Sequence, residues 1–226
     1  MNQLALKRHD APRRARKAPR QVRRSQLIDA AIDVIAEHGL SDATIANVTR
    51  VAGLSKGIVS LHFDSKDNLL TEVLRHLAVE MRDAWRQCLV DNGASGAAGL
   101  SAVVNALFQP DLCSPQKIAV WFAFFGEAKH RAAYREIIET FDDERVGALE
   151  ALCSEVQTDG GYSDVDPAAL ALTIESLADG LWLSLLLYPE WMTPETAKTR
   201  IYEVLAVNFP DHFERAANLS DRPCEG

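Results

Sequence analysis

Residues 44–66 place hydroxyl, glycine and lysine residues at positions where short helices would begin. Thr44, Ser55 and Lys66 lie at such starts, where free backbone N–H groups and the helix dipole attract phosphate. Gly53-Leu54-Ser55 joins two short helices, and a glycine-containing turn of this length is typical of a helix-turn-helix. These residue types and spacings indicate contact with the backbone of a nucleic acid.

The second helix of this pair, from Lys56 to about Phe63, is the one that would enter the major groove. Its apolar residues Ile58, Val59 and Phe63 have to face the core of the small domain. The other residues face outward, and Gly57 allows a close approach to DNA because it has no side chain. The predicted DNA-contacting residues are Thr44, Ser55, Lys56, Gly57, Ser60, Leu61, His62 and Lys66.

The net charge of −8 hides a strong asymmetry along the chain. Residues 1–66 contain 12 Lys and Arg against 6 Asp and Glu, whereas residues 67–226 contain 12 against 26. A basic front on an acidic body indicates that only the front meets a polyanion, either nucleic acid or an anionic membrane. The front lacks an apolar face for insertion, and no uncharged stretch is apolar enough to span a bilayer, so no membrane partner is predicted.

Residues 1–19 are polar and basic, and they bury too little apolar surface to order themselves, so we predict a flexible arm. This arm could lie in the minor groove or along phosphates, or it could remain a solvated tail that adds only non-specific attraction. The arginines that follow it, Arg20, Arg23 and Arg24, are grouped with it.

Aromatic residues concentrate in the acidic part of the chain, where carboxylates adjoin them in the sequence. An aromatic cage beside a carboxylate is the chemistry that holds a quaternary ammonium ion, because ring faces attract a cation that donates no hydrogen bond. The alternative is plain core packing, in which Asp179 caps or pairs locally. The predicted ligand-binding residues are Trp121, Phe125, Asp179 and Trp182.

Helical periodicity runs from about residue 20 to Phe209, and prolines, glycines and capping residues divide it into about nine helices. We predict an all-α fold with a three-helix helix-turn-helix head (20–66) and a helical regulatory and dimerisation body (67–209), followed by a disordered tail (210–226). The fourth helix, at about residues 66–90, is expected to be the only element that joins head and body.

Enzyme, metal and cofactor chemistry are not indicated. The four cysteines are far apart and form no C-x-x-C pair, so neither a disulfide scaffold nor a zinc ribbon is expected, and a reducing cytoplasm is the expected compartment. Glu72, His76 and Glu80 share a helix face, but an exposed polar stripe is more often solvated than metal-bound. We therefore predict no catalytic residues, no metal site and no cofactor.

The stretch from Arg24 to Leu70 resembles the DNA-binding domain of TetR-type transcriptional regulators. The motifs that carry this resemblance are Ala43-Thr44-Ile45-Ala46, Ala52-Gly53-Leu54-Ser55-Lys56-Gly57, His62-Phe63 and Lys66-Asp67-Asn68-Leu69-Leu70. Within the family, the chain is similar to the BetI-type repressors of choline-to-glycine-betaine genes. That similarity is carried by Thr44-Ile45-Ala46-Asn47-Val48, Gly57-Ile58-Val59-Ser60 and Asp179-Gly180-Leu181-Trp182-Leu183.

This resemblance implies a homodimer that binds a palindromic double-stranded operator and is released by a small, choline-like effector. It also implies that Thr44, Lys56, His62 and Lys66 hold phosphates or base edges. The family often has tyrosine where His62 stands and an aromatic or polar residue where Leu61 stands, so the operator contacts at these positions differ.

The chain also offers a dimer interface. Residues 181–188 are apolar nearly all round, and such a helix must be covered on both sides. A second apolar stripe, which would complete a four-helix interface, runs through Ile201, Val204, Leu205 and Phe209. The predicted function is a ligand-responsive, sequence-specific repressor; the alternative is an architectural nucleic-acid-binding protein without effector control.

Overall fold

The computed structural model describes residues 20–129 and 131–214, which form nine α-helices and no strand. The predicted all-α fold is confirmed. The helices are α1 (Arg20–Asp42), α2 (Ile45–Val51), α3 (Lys56–His62), α4 (Lys66–Asn92), α5 (Gly96–Leu107), α6 (Pro115–Ala128), α7 (Ala132–Gly160), α8 (Pro167–Leu187) and α9 (Pro194–Asn208).

Short-range capping sets the helix boundaries of the head. The hydroxyl of Thr44 accepts a hydrogen bond from the backbone N–H of Asn47 at 3.2 Å, and that of Ser65 accepts one from Asn68 at 3.1 Å. Gly39 interrupts α1 with a φ of 78°, a conformation that a residue without a Cβ adopts at little cost. The capping hydrogen bonds thereby fix the starts of α2 and α4.

The head and the body share one hydrophobic core. The polypeptide passes from head to body only through α4, but α6 of the body packs along α1 of the head. A hydrogen bond from the side-chain amide of Gln116 to the carboxylate of Asp33, at 2.6 Å, joins these two helices. The prediction that α4 alone joins head and body is therefore wrong, because a second, non-covalent connection runs through α6.

One described helix, α8, is long and apolar enough to cross a membrane by length and composition. In this fold, seven of its side chains are buried among the other helices. The indole N–H of Trp182, for example, donates to the backbone carbonyl of Leu107 at 3.1 Å. Its apolar character is that of a core helix in a helical bundle.

The segment after α9 differs from the prediction of a tail beginning at residue 210. Phe213 is buried, and the ring nitrogens of His212 lie 2.9 Å from the hydroxyl of Tyr162 and 2.9 Å from the carboxylate of Asp159. Residues 210–214 are therefore attached to the end of α7. The rest of the predicted tail, and the predicted arm at residues 1–19, lie outside the described residues.

Gly99 marks the closest approach of α5 to α7. A Cβ atom at this position would lie 2.4 Å from Cδ2 of Leu152, and Gly99 itself is buried. The side chains of α7 therefore occupy the space in which a larger residue would have to fit.

We expect Gly99→Val to lower the free energy of unfolding by about 1–3 kcal/mol, because the added methyl groups overpack the contact with Leu152. The measurement is urea unfolding at one fixed protein concentration. Gly147→Val is the control, since nothing lies within 4 Å of a Cβ at Gly147, and its effect should stay within about 0.5 kcal/mol. Equal losses in the two variants would show that the contact with Leu152 is not tight.

Candidate functional site

The outward face of α3 is exposed, as a DNA-reading helix requires. Val59 and Phe63 are buried, whereas Lys56, Gly57 and Ser60 are exposed. Leu61 is 66% exposed, a large apolar side chain that the head itself leaves uncovered. Such a side chain can contact a thymine methyl group in the major groove.

Thr44 and Ser55 are both exposed at the N-caps of their helices, but their hydroxyl groups are engaged differently. The hydroxyl of Thr44 accepts the capping hydrogen bond from Asn47. The side chain of Ser55, at the start of α3, makes no such bond. Its hydroxyl is therefore not committed to α3 and can donate to a phosphate oxygen.

Two arginines of α1 line a groove beside α3, together with Ser55, Leu61 and His62. They are Arg20 and Arg23, which the sequence analysis groups with the basic residues 1–19 but which belong to α1. Arg20 donates from Nη2 to the backbone carbonyl of Leu61 at 3.2 Å. These positive charges thus lie on a folded helix directly beside α3.

His62 lies half-buried at the end of α3. Burial, followed by the positive charges of Arg20 and Arg24, lowers the pKa of His62 below its ordinary value. A neutral imidazole has one N–H donor. His62 can therefore donate a single hydrogen bond to a phosphate but adds no positive charge near neutral pH.

Lys66 has an intramolecular role that the sequence did not indicate. Its Nζ donates to the backbone carbonyls of Leu40 and Ser41, both at 3.2 Å, at the end of α1. An ammonium group has three donors, so one remains for a phosphate. Lys66 therefore fixes the start of α4 to the end of α1, and Thr44 follows that end of α1 in the sequence.

The four predicted ligand-binding residues line one cavity in the body. Trp121 and Phe125 project from α6 with ring centroids 5.8 Å apart, and Asp179 and Trp182 come from α8. The other lining residues are Met81, Leu107, Asp142, Arg145, Glu175 and Ala178. The cavity has a volume of about 30 Å³, which is room for about two water molecules.

The sequence did not identify the charged group of this cavity. Arg145 is buried and donates from Nε to Glu175 at 2.9 Å, with a second, shorter hydrogen bond from Nη2 to the same carboxylate. Nη2 also donates to Asp142 at 2.9 Å. The sequence feature that could have identified Arg145 is its spacing from Leu149: residues four positions apart lie on the same face of a helix, and here that face of α7 is buried.

Two carboxyl groups of the cavity, Asp142 and Asp179, have raised pKa values. Burial raises the pKa of Asp142 to about 6, although Arg145 opposes the shift. Burial, then the negative charges of Glu175 and Asp142, raises the pKa of Asp179 to about 6. Burial alone would lower the pKa of Arg145, but its hydrogen bonds to Glu175 reverse the sign and raise it.

Within residues 20–129 and 131–214, no group of three His, Cys, Asp or Glu side chains is arranged to hold a metal ion. On the polar face of α4, Glu72 pairs with Arg24, and Glu80 pairs with Lys117 at 2.6 Å. Two of the three side chains on that face are thus committed to ion pairs.

Both the head and the body of the chain match known protein families. Residues 27–73 match the family described as bacterial regulatory proteins, tetR family, and residues 96–210 match the family described as BetI-type transcriptional repressor, C-terminal. The HTH-type transcriptional regulator BetI of Pseudomonas aeruginosa strain PAO1 is 34% identical over 165 residues, which are 72% of this chain and 80% of that protein.

Solved structures agree with these matches. A transcriptional regulator from Pseudomonas aeruginosa PAO1 has a TM-score of 0.76 at 26% identity, covering 87% of this chain and 95% of that chain. A transcriptional regulator from Saccharomonospora viridis, solved in complex with choline, has a TM-score of 0.64 at 18% identity, covering 83% and 97%. This second likeness concerns the fold alone.

The helix-turn-helix of the head, the nine-helix architecture and these similarities have one explanation. The chain belongs to the TetR family of transcriptional regulators and carries a BetI-type C-terminal domain.

Proposed function

We propose that this regulator binds a palindromic operator as a homodimer and is released from it by a small quaternary ammonium effector. The observation that carries the proposal is the joint presence of an exposed reading helix, α3, and an aromatic cavity with more carboxylates than positive charges. An architectural nucleic-acid-binding protein has no need of such a cavity. Because the regulator would act on DNA, we propose that it is located in the cytoplasm.

On the DNA, we assign base contacts to the middle of α3 and phosphate contacts to its flanks. Ser60 and Leu61 are exposed on the face that would enter the major groove, with Gly57 permitting close approach. Thr44, Ser55, Lys56, His62 and Lys66 would contact phosphates. Residues 20–66 hold six Lys and Arg against five Asp and Glu, so the arm supplies most of the long-range attraction, in the minor groove or as a solvated tail.

Lys56→Ala should weaken binding to all duplexes and reduce the slope of log K against log salt by roughly one, because one phosphate contact is lost. Arg50→Ala is the matched control, since Arg50 lines a groove between the head and α6. The measurement is fluorescence anisotropy at several salt concentrations.

Wild-type protein should bind its operator at least about a thousandfold more tightly than random duplex. Equal affinities for the two would favour the architectural alternative.

The exposed side of α8 supports pairing of two subunits. Leu172, Leu183 and Leu187 are exposed by 56%, 38% and 54%, and their spacing places them on one face of the helix. Val207 of α9 is exposed by 62%. An uncovered apolar face of this kind marks an interaction surface, and a two-fold pair of heads matches a palindromic site.

The interface predicted for α9 requires a correction. Ile201, Leu205 and Phe209 are each 0% exposed, because they pack into the core of their own subunit. They cannot also face a partner. Of the predicted stripe only Val204 is partly exposed, so α8 would form most of the dimer interface.

Leu187→Glu should convert the dimer to a monomer, because it places an unpaired charge in the interface of both subunits. Such a charge costs about 3–5 kcal/mol, which raises the dissociation constant by at least about 100-fold. Light scattering after size exclusion measures the mass. Val90→Glu is the control, since Val90 is 74% exposed on α4, away from this face. A monomeric wild-type protein would refute the dimer.

The chemistry of the cavity supports a cationic effector. Two tryptophans and a phenylalanine offer ring faces, and three carboxylates face a single arginine. A regulator of the same fold from Saccharomonospora viridis was solved in complex with choline, which supports an effector of this class. Since the cavity is small when empty, an effector has to displace aromatic side chains of α6 or α8.

Helix α6 provides a route from this cavity to the head. Trp121 and Phe125 line the cavity, while Gln116, at the start of the same helix, is hydrogen-bonded to α1. Lys117 pairs with Glu80 of α4 at 2.6 Å. An effector that moves α6 would therefore act on both helices that set the position of the head, and it releases DNA if it binds the DNA-incompetent arrangement more tightly.

Choline should bind at least about tenfold more tightly than its neutral isostere 3,3-dimethylbutan-1-ol, because only the cation gains from ring faces and carboxylates. Tryptophan fluorescence reports binding, since Trp121 and Trp182 line the cavity. Operator release, measured by anisotropy, should follow the same order. Equal binding of the two compounds would assign the cavity to apolar ligands, and no response to any quaternary amine would remove the effector proposal.

A further inference from the structure

The charges that line the effector cavity do not balance. Asp142 and Arg145 come from α7, and Glu175 and Asp179 come from α8, so full ionisation leaves three negative charges against one positive charge. Arg145 and Glu175 are joined by two hydrogen bonds, and Nη2 of Arg145 also donates to Asp142 at 2.9 Å. One guanidinium balances only one of the three carboxylates, so full ionisation leaves an excess of two negative charges in the cavity.

Among residues 20–129 and 131–214, no neighbouring element lines the cavity with a further positive charge. The other helices contribute Met81, Leu107, Trp121 and Phe125 to the lining, and α5 has no charged residue. The charged side chains next to these positions are engaged elsewhere: Glu80 with Lys117, Arg82 with Asp83, and Glu127 with Arg131. The exposed Asp143, beside Asp142, adds negative charge.

We propose that the cavity exchanges a proton for its effector: under mildly acidic conditions Asp142 and Asp179 share a proton while the cavity is empty and release it when a monocation enters. The proton leaves a carboxyl oxygen for solvent, and the ammonium ion of the effector takes over its role of neutralising the carboxylate. This inference rests on the proposed effector class, because it describes the proton balance of the same cavity.

The direction of the pH dependence follows from the sign of the shifts. In the empty cavity the pKa of Asp142 and that of Asp179 are both raised to about 6. A bound cation stabilises the carboxylates and lowers these pKa values, so binding releases protons at a pH near or below 6. Effector affinity therefore rises with pH through this range and becomes constant above about pH 7.

This exchange makes the regulator respond to acidity as well as to its effector. At low pH the same effector concentration releases less protein from the operator, because protons compete for the two aspartates. A neutral ligand would displace no proton, so the pH dependence of affinity separates a cation from an apolar ligand.

The test is calorimetric titration of the full-length protein with choline at about pH 6 and about pH 8, in buffers of different ionisation enthalpy. Proton release should approach one at the lower pH and zero at the higher pH, and affinity should rise by up to about tenfold per pH unit for each proton released. Asp179→Asn should reduce both the release and the pH dependence. Asp142→Asn is the second variant in case the first does not fold.

Glu150→Gln is the control, because Glu150 lies on α7, exposed and outside the cavity. It should keep the wild-type proton release. Choline binding with equal affinity at both pH values and no proton release would refute the exchange while leaving the effector class intact. If no quaternary amine binds at either pH, the effector class fails, and the exchange fails with it.

Discussion

A buried positive charge, Arg145, holds two long helices of the body together. Arg145 lies inside the helical bundle, where an unpaired guanidinium would be strongly unfavourable. Glu175 satisfies it with two hydrogen bonds and thereby ties α7 to α8. The same pair lines the aromatic cavity, so the interaction that joins the helices also contributes to the charge of that cavity.

The cavity and the DNA-binding head are connected by contacts at both ends of α6. At its start, Gln116 and Lys117 contact α1 and α4. Just beyond its end, Arg131 lies 3.0 Å from Asp67, in the first turn of α4. The aromatic side chains that line the cavity lie between these points. A change in the cavity therefore has a short, packed route to the helices that carry the reading helix.

The sequence predicted what depends on neighbouring residues and missed what depends on distant ones. Helix starts at Thr44 and Ser65 are set by residues three positions away, and the exposed face of α3 follows from periodicity alone. The partners of Lys66, 25 and 26 residues earlier, leave no local signal. Likewise, Arg145 and Glu175 are 30 residues apart, and only folding brings them together.

Periodicity also shows that a helix has an apolar face without showing what covers it. The stripe of α9 is apolar as expected, yet the core of its own subunit covers Ile201, Leu205 and Phe209. In the cavity, residue chemistry and family resemblance selected four residues that do lie together, Trp121, Phe125, Asp179 and Trp182. Chemistry and resemblance thus located the cavity, but its charge balance depends on side chains that packing alone reveals.

The shared core of α1 and α6 limits how far this protein can be treated as two interchangeable modules. The side of α1 that packs against α6 is part of the hydrophobic core, and the carboxylate of Asp33 accepts a hydrogen bond from Gln116 of α6. A chimaera that joins this head to the body of another family member would need a matching α6 surface as well as a compatible α4. If the exposed residues of α3 make the proposed base contacts, exchanging them would alter operator specificity without disturbing this junction, whereas exchanging the whole head would disturb it.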